Sequence, residues 1–87
     1  MVKTEVTIGN PEGIHLKPAS RIADAADKFD SIIHLQTDYM DVSVRSIINL
    51  VSGTFRYGDK LTLVCDGPDE KEALAAMKKM LESKLED

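Results

Sequence analysis

With 87 residues, 43% of them hydrophobic, the chain has material for one small domain, 1–87, with a modest core. A single cysteine, Cys65, excludes an internal disulfide, no Cys/His cluster points to zinc or another metal, and both facts suit a reducing cytoplasm. Eleven basic against fifteen acidic residues give a net charge of −4, which argues against direct nucleic-acid binding; no apolar run is long enough for membrane insertion, and Met1 leads into alternating residues rather than a signal peptide.

Val2, Thr4, Val6 and Ile8 alternate with Lys3, Glu5 and Thr7, the period of a half-buried strand. "GNPEG" (Gly9–Gly13) is dense in turn formers and ends it. From Leu16 the period changes to that of a helix: Ala19, Ile22, Ala23, Ala26 and Phe29 share one face. Pro18 must then lie in the first turn, where its missing N–H removes no internal bond.

Ile33 and Leu35 predict a second strand and Met40, Val42 and Val44 a third, with "TDY" turning between them. His34 falls on the outward side as a plain surface residue. Ser46 is placed to cap a short helix that Gly53 ends. "RYGDK" leads into Leu61, Leu63 and Cys65, a fourth strand in which Cys65 is buried and inert. Asp69 is placed to cap the last helix, with Glu72 completing a capping box; Ala73, Leu74, Met77, Met80, Leu81 and Leu85 form its apolar stripe. The order is βαββαβα: an α+β fold of two layers, one sheet with the helices on one face and a polar outer surface.

The chemistry concentrates in "GIHLKPAS" (Gly13–Ser20). His15 sits at the N-cap of the first helix, where first-turn N–H groups lack helical acceptors and the dipole favours an anion. Near those N–H groups one ring nitrogen is expected to be held and the other left as a nucleophile. Lys17 can stabilise an anionic group attached to it. The parts are those of a histidine that accepts a phosphoryl group and gives it up again. The plain alternative is a surface cap beside a solvated lysine. Ser46 has a similar placement: a phosphate on a cap serine gains the same contacts, but an unmodified serine is already useful there.

"GIHLKPAS" resembles the active-site motif of the HPr family, the histidine-containing phosphocarriers of the bacterial phosphoenolpyruvate:sugar phosphotransferase system, whose common form is G-[IL]-H-A-R-P-A. "RSIINLVSG" (Arg45–Gly53) is similar to that family's segment around a regulatory serine. The resemblance covers essentially the whole chain and implies a four-stranded antiparallel sheet in order 1-4-2-3 with three helices on one face. It further implies that His15 takes a phosphoryl group from phosphorylated enzyme I and passes it to EIIA domains of sugar permeases, without a cofactor of its own. Lys17 stands where the family has arginine, a point charge in place of a planar fork. Ser46 would be the site for an HPr kinase/phosphorylase, with a transcriptional regulator as a further partner. Leu16, Ile47, Ile48 and Val51 lie where family members dock partner proteins, and a cytoplasmic monomer is expected. Leu16 replaces a small alanine, Asn49 and Thr54 stand at or near usual glycines, and Tyr39 occupies a hairpin turn where glycine is frequent. These departures frame a second reading: a diverged regulatory module that acts mainly through Ser46 phosphorylation and docking.

Overall fold

The computed structural model describes residues 1–85. Its elements are β1 (Val2–Thr7), α1 (Leu16–Ala26), β2 (Ile32–Gln36), β3 (Asp41–Ser43), α2 (Ile47–Ser52), β4 (Lys60–Asp66) and α3 (Glu70–Leu81). The strands form one antiparallel sheet in order β1-β4-β2-β3, the order the resemblance implies. Period-two alternation sends Val6, Ile33, Leu35, Leu61, Leu63 and Cys65 to the inner face. There they meet Ala19, Ile22 and Ala26 of α1, Leu50 of α2, and Ala73, Met77 and Leu81 of α3. The outer face carries Lys3, Glu5, Thr62, His34, Gln36 and Asp41, with two departures from polarity, an exposed Ile32 at the start of β2 and Val64. Val64 is buried there because β4 is central and lies between Lys3 of β1 and His34 of β2.

Several local details differ from the sequence expectations. The third strand holds only Asp41–Ser43, leaving Met40 in the turn, although Val44 still donates its N–H to Ile33 O at 3.1 Å. His34 is more than a bare surface residue: its Nδ1 lies 2.6 Å from Asp41 Oδ1, and Gln36 Nε2 donates to the other oxygen at 3.1 Å. Those contacts, the His34 hydrogen bond first, hold the Asp41 carboxyl below its ordinary range. Burial pushes the Cys65 thiol up to about 11, which keeps it protonated and unreactive.

Asp69 precedes α3 but makes no side-chain cap for it. Its carboxylate instead accepts the N–H groups of Asp30 and Ser31, at 2.9 and 3.0 Å, and the Ser31 hydroxyl. No capping box forms with Glu72; Glu70 accepts the Gly67 N–H instead. The reason is competition: Ser31 is fully buried at the entrance to β2, and its polar groups must be satisfied there. α3 ends at Leu81, so Leu85 lies beyond the helix, yet it is buried.

Arg45 follows the third strand and directly precedes the α2 cap. Its guanidinium reaches back to the end of α1 and donates to Ala26 O, Phe29 O and Ser31 O at 2.8, 2.6 and 2.9 Å. A cation there binds carbonyls at and just beyond the helix end, adds to the Phe29 N–H bond that Ala26 O already accepts, and complements the negative end of the dipole. The same side chain pairs with Asp27 Oδ1 at 3.4 Å.

Candidate functional site

The segment before α1 is pinned from four directions. Gly9 N–H donates to Leu81 O at 3.0 Å and Ile14 N–H to Phe55 O at 2.9 Å. Asn10 is 1% exposed. Its Nδ2 donates to Gly13 O at 2.7 Å, its own carbonyl accepts the Gly13 N–H, and its Oδ1 accepts the Leu85 N–H at 2.9 Å. Gly13 has φ +74°, and a Cβ on it would lie 2.4 Å from Phe55 O. Only glycine permits both the left-handed turn and the approach to the loop leading to β4. The loop that presents His15 is therefore held by backbone contacts and one buried carboxamide.

His15 is the N-cap of α1, in an extended backbone conformation, and its carbonyl accepts the first helical bond from Ala19 N–H at 2.9 Å. Pro18 lies in the first turn as expected and is buried. The imidazole differs from expectation: it makes no side-chain cap bond. Its Nε2 lies 3.2 Å from Glu12 Oε2, and the ring is about half exposed, at 48%. The ring makes no hydrogen bond to the helix amides and lies beside the carboxylate three residues upstream. Lys17 is the second residue of α1 and is exposed on the surface.

Sequence reasoning passed over Glu12 and Asn10, both of which were legible only as members of a turn-forming run. The signal for Asn10 was its residue type: asparagine side chains often bond nearby backbone in turns. Glu12 had a weaker signal, an acidic residue three before a histidine.

Ser46 is the N-cap of α2, and its Oγ accepts the Asn49 N–H at 3.2 Å. Gly53 ends that helix with φ −67°, while Thr54 takes the left-handed conformation, φ +51°. Gly53 is needed for a different reason: a Cβ there would lie 2.7 Å from the Phe55 ring. α1 and α2 pack against each other. Leu16 (68%), Ile48 (77%) and Val51 (36%) are exposed on them, whereas Ile47 is partly buried against the core. Among the described residues, no group of three or more His, Cys, Asp or Glu side chains is arranged to hold a metal ion, and no helix is long and apolar enough to cross a membrane.

The family model described as "PTS HPr component phosphorylation site" matches residues 2–83. The chain belongs to the HPr family. The phosphocarrier protein HPr of Mycoplasma genitalium is 45% identical over 83 residues, 94% of each chain. That of Treponema pallidum is 38% identical over 87 residues, covering 100% of this chain and 99% of the other. Among solved structures, HPr from Thermoanaerobacter tengcongensis superposes with a TM-score of 0.87 at 32% identity, covering 94% of this chain and 92% of that one. The chain is thus an HPr-type phosphocarrier of the phosphotransferase system, built on that family's fold.

Proposed function

We propose that His15 is the phosphoryl acceptor of a stoichiometric relay. It takes the group from phospho-enzyme I, itself charged by phosphoenolpyruvate, and passes it to EIIA domains of sugar permeases. The observation that carries this reading is the half-exposed imidazole at the N-cap of α1, on a loop fixed by Asn10, Gly13 and Ile14. A relay must meet two different partners at the same atom, and an accessible ring on a rigid mount supports that better than a deep pocket would. Lys17, in the first turn of the same helix, supplies positive charge for the phosphoryl oxygens, as a point charge in place of arginine's planar fork. Leu16, Ile48 and Val51, with the exposed part of Ile47, form the docking surface for both partners, and a cytoplasmic monomer suits a shuttle.

Ser46 supports a second, compatible role. Its hydroxyl is only partly buried and already caps α2 beside that apolar surface. A phosphate added there by an HPr kinase/phosphorylase would keep the favourable helix end and place negative charge where partners dock. Docking of the serine-phosphorylated form on a transcriptional regulator belongs to this role.

Incubation with phosphoenolpyruvate and a catalytic amount of enzyme I from the same host tests the reading. Intact mass is expected to rise by one acid-labile phosphoryl group, and His15→Ala to remain uncharged. Undiminished charging of His15→Ala would overturn the assignment, and Ser46→Ala is expected to charge normally.

A further inference from the structure

The acceptor ring has two nitrogens, and the two sit in different surroundings. Nε2 faces Glu12 Oε2 at 3.2 Å; both side chains are open to solvent, Glu12 at 74%. A carboxylate at that distance favours a hydrogen on the nitrogen beside it, because an N–H is attracted to the anion and a lone pair is repelled. A neutral imidazole carries only one proton, so a proton on Nε2 leaves the lone pair on Nδ1. We infer that Glu12 is a positioning residue for phosphoryl transfer, holding His15 in the tautomer whose nucleophile is Nδ1. This rests on His15 being the phosphoryl acceptor.

The step balances without a base. The Nδ1 lone pair attacks phosphorus, the new N–P bond forms as the bond from phosphorus to the donor atom breaks, and the donor atom keeps the electron pair. The proton on Nε2 stays where it is. The His15 ring thereby gains formal positive charge, and the Glu12 carboxylate already lies beside the N–H through which that charge is stabilised. A carboxylate that orients a histidine and stabilises the imidazolium formed on it is a general device. Here the pair is exposed, which limits the effect to a few-fold rather than the orders of magnitude seen in buried sites.

Glu12→Gln keeps the length and polarity of the side chain and removes its charge; Glu12→Asp keeps the charge. Exposure of Glu12 makes both variants structurally mild. Ring nitrogen-15 spectra of the uncharged proteins, at a pH where the ring is neutral, read the tautomer directly. Wild type is expected to show Nδ1 as an unprotonated nitrogen, and Glu12→Gln to move that signal part-way towards the protonated position. The rate of charging from phosphoenolpyruvate and catalytic enzyme I is expected to fall roughly two- to fivefold in Glu12→Gln, with partial recovery in Glu12→Asp. An unmoved Nδ1 signal, or equal charging rates in wild type and Glu12→Gln, overturns the role of Glu12. A wild-type protein that does not charge at all points instead to failure of the relay reading, and the spectra separate the two because they need no phosphoryl donor.

Discussion

Gly13→Ala, compared with Gly58→Ala, isolates the contact that fixes the phosphoryl-accepting loop. Both glycines have left-handed φ, +74° and +86°. An alanine in that region costs about 1–2 kcal/mol, partly offset by about 0.4–1 kcal/mol because alanine restricts the unfolded chain. Those terms are common to the two sites. Their surroundings differ. A Cβ at Gly58 meets nothing within 4 Å, whereas one at Gly13 falls 2.4 Å from Phe55 O and 3.0 Å from Arg56 Cα. Both clashing atoms are backbone, so no side-chain rotation relieves them. The loop must move, and it stretches or breaks the Ile14 N–H bond to Phe55 O and the buried bond from Asn10 Nδ2 to Gly13 O. At about 0.5–1.5 kcal/mol per bond, Gly13→Ala is expected to lose about 2–4 kcal/mol in all. Gly58→Ala is expected to lose no more than about 1–1.5 kcal/mol. Urea unfolding with matched slopes measures both. Charging by phosphoenolpyruvate and enzyme I should slow in Gly13→Ala under conditions where it is still folded, and be unchanged in Gly58→Ala. Equal stability losses at the two sites would refute the idea that close backbone approach holds the loop.

Other outcomes follow from the same structure. Thr54→Gly should change stability by less than about 1 kcal/mol, since relief of about 1–2 kcal/mol of left-handed strain is offset by glycine's entropy cost of about 0.5–1 kcal/mol and by loss of the Thr54 hydroxyl bond to Gly53 O, about 0.5–1.5 kcal/mol; a loss above about 2 kcal/mol in urea unfolding contradicts it. Arg45→Met should cost about 1.5–3 kcal/mol by removing its charge-assisted bonds to three carbonyls at and beyond the end of α1, and Arg45→Lys should restore little because one ammonium cannot span Ala26, Phe29 and Ser31; urea midpoints decide. Acid should destabilise the fold. The carboxyls of Asp41, Asp69, Glu70 and Glu82 are each held below their ordinary values by hydrogen bonds, from His34, Ser31, the Gly67 N–H and the Thr7 N–H respectively. A depressed folded-state value means their contribution is complete above the unfolded range, near pH 4, and is lost as pH falls through the folded values. Urea midpoints should therefore hold between pH 7 and about pH 5 and fall below about pH 4, less steeply in Asp69→Asn.

The sheet and helices were legible because their signals are local and periodic. Val2–Thr7 and Lys60–Asp66 alternate, Leu16–Ala26 carries a stripe, and Ser46 caps the helix it precedes. What failed was partner choice. A sequence pattern offers Asp69 only its own helix, while the fold brings it Ser31, a buried serine 38 positions away. Leu85 has the spacing of the α3 stripe but is buried beyond the helix end, tied to Asn10. Gly53 ends α2 as its residue type suggested, but the left-handed residue is Thr54; glycine is needed at 53 because the Phe55 ring occupies the space a side chain there would take. At the candidate site, His15 and its N-cap position could be read from the motif. The orientation of its ring could not, because that depends on one exposed contact with Glu12.

The most direct test of the relay is transfer onward. Labelled phosphoenolpyruvate, enzyme I, this protein and an EIIA domain from the same host would be mixed in sequence, and the label followed from protein to protein. The account predicts that label appears on wild-type protein, leaves it when EIIA is added, and accumulates on EIIA, with none of this in His15→Ala. Label that stays on the protein after EIIA is added, or that reaches EIIA through His15→Ala as fast as through wild type, would contradict it.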